Sequence, residues 1–73
     1  MKHNQLRDKI REHPELLGRL SDAKTAAMLR LHYIDGLEWD KVAAIYFYSV
    51  EQIYNLRRKA VAELQQIIES EVY

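Results

Sequence analysis

The chain has no cysteine, one proline and two glycines among its 73 residues. Without thiols it can form neither a disulfide nor a thiolate zinc site, so its core must hold by packing alone. A chain of this length buries only about 60% of the surface that its unfolded form exposes, which leaves little volume for a deep substrate cavity. Lack of cysteine also fits a reducing compartment. No apolar run approaches the length of a membrane span, and the first residues (Met-Lys-His-Asn-Gln) lead into charge rather than into a signal-peptide core. A soluble, cytoplasmic chain is expected. There is no alternating strand pattern, internal repeat, low-complexity stretch or flexible linker, so the expected fold is all-α and a single domain over residues 1–73.

Net charge is missing as well: eleven basic and eleven acidic side chains cancel. The long-range pull on a polyanion is therefore weak, and the local distribution matters more. Three cations, Arg57, Arg58 and Lys59, are consecutive, and Glu63, Glu69 and Glu71 follow them. This order suggests a compact basic patch beside an acidic tail.

The few breakers divide the chain into helices. Asn4 is suited to cap a first helix with Leu6 and Ile10 on one face, and Pro14 ends it by removing a backbone donor. Residues 15 to 20 are too short for an independent element and read as a turn feeding the core. Ser21 and Asp22 open a second helix that runs to about Ile34, where Asp35-Gly36 stops it. Its apolar residues Ala26, Ala27, Met28, Leu29, Leu31, Tyr33 and Ile34 wrap most of the way round, so it should be central. In the third helix Trp39, Val42, Ala43 and Tyr46 occupy i, i+3, i+4 and i+7, leaving Asp40, Lys41 and Ala44 outside. Glu38 stands at its cap in place of the usual Ser or Thr. Ser49 and Gln52 have the form of a capping box for a fourth helix from Val50 to about Ser70. Ile53, Leu56, Ala60, Leu64 and Ile67 or Ile68 should face inward. Trp39, Val42, Ala43, Ile53, Leu56, Ala60 and Leu64 are expected to share one core.

Two helices joined by about three residues, the first short and the second capped, outline a helix-turn-helix over about 38–60. Ala43 suits the close approach of the pair, and Ile53 can hold the angle between them. Val50, Glu51, Tyr54, Asn55 and Arg58 then project outward behind Ser49. In this motif the start of the second helix enters the major groove. Asn55 and Arg58 offer planar bidentate patterns to adenine and guanine edges, and Glu51 could accept from a cytosine amino group or serve the helix's positive end. Arg57, Lys59 and Lys41 are candidates for phosphates. Phe47 occupies the turn position where many such motifs place glycine.

Residues 27 to 64 resemble the C-terminal helix-turn-helix of bacterial sigma-70-type factors (region 4). They look closer still to small phage-encoded sigma-like regulators of the ArpU and RinA kind. The resemblance lies in Tyr33, Asp35-Gly36, the helix Trp39-Asp40-Lys41-Val42-Ala43, and the run Tyr48-Ser49-Val50-Glu51-Gln52-Ile53-Tyr54. It implies a protein that binds promoter or regulatory double-stranded DNA and controls transcription, of phage or mobile-element origin. The alternative is a protein-interaction module that meets RNA polymerase or another transcription protein through the same scaffold.

Other chemistry has little to stand on. Tyr46, Phe47, Tyr48 and Tyr54 could be taken for a single-strand stacking platform, but helical spacing makes Tyr46 and Tyr48 core residues. His3, His13 and His32 have no partner at i+3 or i+4, so no metal is expected. Asp35, Glu38 and Asp40 serve a helix stop and a first turn better than catalysis. There is no Ser-His-acid set and no phosphate-cradling glycine loop. Neither enzymatic activity nor a cofactor is expected. Ile67, Ile68, Val72 and Tyr73 extend past the point where a small core should be full, which predicts a homodimer built partly from the last helix.

Overall fold

The structure is a computed structural model that describes the backbone of residues 3–71 and the side chains of residues 5–71. Four α-helices follow one another as α1 (His3–Glu12), α2 (Ala23–Tyr33), α3 (Trp39–Ile45) and α4 (Val50–Glu71). A 3-10 helix, Pro14–Arg19, separates α1 from α2. Among the described residues there is no strand, and no helix is long and apolar enough to cross a membrane. The fold is all-α with a long C-terminal helix.

Helix α1 starts at His3, so Asn4 lies within it, and a capping role for the Asn4 side chain falls outside the described residues. Residues 15 to 20 do more than turn. Pro14 pre-sets φ for the first 3-10 position, and the segment buries Leu16 and Leu17 completely enough to count as an element of the core. Glu63 of α4 accepts from the Ser21 amide at 2.6 Å and from the Ser21 hydroxyl at 2.9 Å, tying α4 to the start of α2. Arg19 and Glu71 pair at the far end of α4.

Asp22 caps α2, accepting from the Lys24 amide at 3.0 Å and from the Thr25 hydroxyl at 2.9 Å. The Thr25 bond, followed by the amide, holds the Asp22 carboxyl below the usual carboxylate range. A depressed folded pKa stabilises fully above the unfolded value of about 3.9, and the gain fades as pH falls below it. Asp22→Asn keeps a capping acceptor and has no charge to lose. It is expected to flatten the acid limb of stability below about pH 4, read from urea melts across pH. Parallel acid limbs for the two chains would contradict this account.

The buried side chains form two clusters rather than one. The larger joins Leu6 and Ile10, the 3-10 leucines, Leu29 and Tyr33 of α2, and Ala60, Leu64 and Ile68 of α4. The smaller holds Met28, Val42, Ala43 and Ile53, with Leu56 and Tyr46 packed against it. Trp39 touches both clusters. The division follows from length: α4 is 22 residues long and outruns α3, which has seven, so its second half packs on the N-terminal elements instead. Ile68 is buried there and Ile67 packs beside it half-buried, so the chain itself covers one and part of another of the residues that suggested a dimer face. Val72 and Tyr73 lie outside the described residues.

Candidate nucleic-acid interface

Helix α3 ends in a Schellman motif whose geometry sets the turn. The Tyr48 amide donates back to the Ala43 carbonyl at 2.9 Å, and the Phe47 amide donates to Ala44 at 3.2 Å. The residue between cap and exit must adopt a positive φ, and that residue is Phe47, at 59°. The earlier stop after α2 uses Gly36, at φ 80°. Glycine takes this conformation freely, whereas a Cβ crowds the carbonyl there.

Two bonds then start α4. The Ser49 amide donates to Gln52 Oε1 at 2.9 Å, and the Gln52 amide donates to Ser49 Oγ at 3.1 Å, a closed capping box. By contrast Glu38 caps α3 with extended backbone and no side-chain bond. Lys24, on the first turn of α2, reaches the turn from the other side. Its ammonium lies 4.9 Å from the Tyr48 ring centroid. A hydrogen bond with Tyr48 is the main cause that holds the Lys24 ammonium above its usual value.

Ile53 is wholly buried against Val42 and Ala43, and this fixes which way α4 faces. Val50, Glu51, Tyr54, Asn55 and Arg58 are all exposed and fall on one stripe of the first turns. Ser49, Lys59 and Lys41 are exposed too. This stripe is the arrangement inferred from helical spacing.

The basic run divides, with Arg57 and Arg58 on one hollow and Lys59 on another. Successive residues of an α-helix point about 100° apart, so three in a row fan out across the surface. Arg57 and Arg58 both border a hollow with Tyr54, Val61 and Gln65. Lys59 borders another with Asp22, Thr25 and Glu63, where carboxylates are its neighbours. Arg57 also reaches inward: it is half-buried, its guanidinium carbon lies 5.6 Å from the Trp39 ring centroid, and it hydrogen-bonds Tyr33. Burial pushes the Tyr33 phenol up, and the Arg57 bond opposes that shift. His32 stacks on Trp39 at 4.0 Å and donates from Nδ1 to the Leu37 carbonyl at 2.8 Å. Arg57 is thus part of the support behind the stripe.

Arg57→Ala is expected to destabilise the domain by about 1–2 kcal/mol, through the lost contact with the indole and the lost hydrogen bond. Arg57→Lys should recover little, since an ammonium cannot reproduce a planar guanidinium. Trp39 is the one tryptophan, so its emission in urea melts reports both changes. Unchanged stability for Arg57→Ala would return this residue to the solvent-facing surface.

The remaining candidates play other parts. Tyr46 and Tyr48 are half-buried and stack at 6.3 Å between ring centroids, while Tyr54 is exposed. His13 contacts Glu15 at 3.2 Å, and His3 lies outside the residues whose side chains are described. Asp35, Glu38 and Asp40 are exposed. Periodicity did not single out Lys24 or the exposure of Phe47 as parts of this surface. The signal for Phe47 was its position where glycine is usual; Lys24 had none, being remote in sequence from Tyr48.

No family model, curated protein or solved structure matches the chain. What this surface can do follows from its own side chains. It offers hydrogen-bonding groups (Glu51, Asn55, Arg58) on a rigid, capped helix, apolar groups beside them, and separate cations at its margins. Such a surface can enter a groove and read edges, or meet a complementary protein.

Proposed function

We propose that the chain is a DNA-binding transcriptional regulator that inserts the start of α4 into the major groove of duplex DNA. One observation carries this reading. The buried Ile53 and the closed capping box hold Val50, Glu51, Tyr54, Asn55 and Arg58 outward on a single stripe behind a short turn. A recognition helix needs its first turns free while the preceding helix braces it. Asn55 and Arg58 read bases, and Lys41 and Lys59 meet phosphates; Arg57 orders the base of the helix through Trp39. The resemblance of residues 27 to 64 to sigma region 4 and to small phage sigma-like regulators supports the same reading. On it, the chain acts in the cytoplasm, comes from a phage or mobile element, and is a binding protein rather than an enzyme.

Salt dependence tests the proposal. Each neutralised phosphate contributes about −0.9 to the slope of log affinity against log salt. The two contacts from Lys41 and Lys59 therefore imply a roughly 12-fold loss of affinity for a fourfold rise in salt. Fluorescence anisotropy with labelled duplex pools measures this directly. Folded protein that binds no duplex at low salt would assign the stripe to a protein partner such as RNA polymerase instead.

A further inference from the structure

Among the described residues the most exposed large apolar side chain is Phe47, at 94% exposure, and it sits in the backbone conformation that suits it least. At φ 59° a phenylalanine strains the Schellman turn, and its ring packs on almost nothing in return. Folding alone would favour glycine there, as at Gly36. Val50 and Tyr54, each 44% exposed, continue the apolar surface onto the first two turns of α4. Asn55 stands beside Tyr54 on the same stripe, and Arg58 lies one turn further on.

We propose that Phe47 and Val50 read the 5-methyl groups of thymines, so that the preferred duplex carries thymine where the turn and the first residue of α4 meet the groove. This rests on the DNA-binding reading and specifies what is read. The thymine methyl is the one apolar group that a base pair presents in the major groove. An apolar pair on the same exposed surface as Asn55 and Arg58 suits methyls set among base edges. Asn55, suited to adenine, extends the preference for A·T pairs along the stripe.

The test uses the full chain and a duplex enriched by it from random-sequence DNA. Each thymine is then replaced singly by uracil, which deletes only the methyl. Burial of a methyl group is worth about 0.8 kcal/mol, so uracil at a contacted position should weaken wild-type binding about fourfold. Phe47→Gly and Val50→Ala should each bind the thymine and uracil forms of one such position alike. Phe47→Gly should also melt about 4–8 °C higher, because glycine relieves the turn, so lost discrimination cannot be ascribed to unfolding. Wild type that binds every uracil duplex as tightly as the parent overturns the inference while leaving DNA binding intact. Retained discrimination in both variants assigns methyl reading elsewhere and overturns it too. Failure of wild type to enrich any duplex removes the DNA-binding reading itself, and this one with it.

Discussion

Ile53→Ala is expected to lower the unfolding free energy by about 2–5 kcal/mol, a large share of the total for a domain this small. Ile53 is wholly buried, and its neighbours Val42 and Ala43 come from the short helix α3, which has few other anchors. Removing three carbons leaves a cavity between two helices that meet mainly through this cluster. Ala43→Leu tests the same contact from the opposite side. With 2% of its surface exposed, Ala43 has no space for three more carbons, and overpacking should cost about 1–3 kcal/mol. Urea denaturation followed by Trp39 emission and by helical circular dichroism measures both. If either substitution proves neutral, α3 and α4 do not pack in this register.

Losing Asn55 and Arg58 together should separate reading from holding. Both side chains are exposed, so the double variant Asn55→Ala/Arg58→Ala should keep its stability within about 0.5 kcal/mol. On a selected duplex each substitution is expected to cost about 1–3 kcal/mol of binding, and the preference over a scrambled duplex should collapse. Lys41→Ala and Lys59→Ala should instead weaken both duplexes alike and flatten the salt slope. An equal loss on both duplexes from the double variant would make Asn55 and Arg58 general contacts. Glu51 is free to serve the positive end of α4 in either case.

The order of the α-helices, the limits of α2 and the start of α4 were legible because their signals are local. Asp22, Gly36, Ser49 and Gln52 each act within one turn of where they stand, through bonds to the nearest backbone amides or through a positive φ. The exposed stripe on α4 was legible for the same reason. A period of about 3.6 residues assigns Ile53 inward, and with it Val50, Tyr54, Asn55 and Arg58 outward. The turn was legible in part: Phe47 marked itself by occupying a position where glycine is usual.

Three features came only from the assembled fold. Leu16 and Leu17 turned a connecting segment into a 3-10 helix because α1, α2 and α4 together offer them a surface to bury against. Two clusters replaced the single expected core, since α4 outruns α3 and meets α1 and the 3-10 helix with its second half. The run Arg57-Arg58-Lys59 reads as one patch in a string of letters, but on the helix Lys59 parts from the two arginines, and Tyr33 and Trp39 hold Arg57 from distant segments. Sequence by itself determined what backbone capping and helical period decide, since both act over a few residues. Tertiary structure alone decided which apolar faces meet and which cation is spent on holding them, because those energies depend on partners that chain order does not reveal.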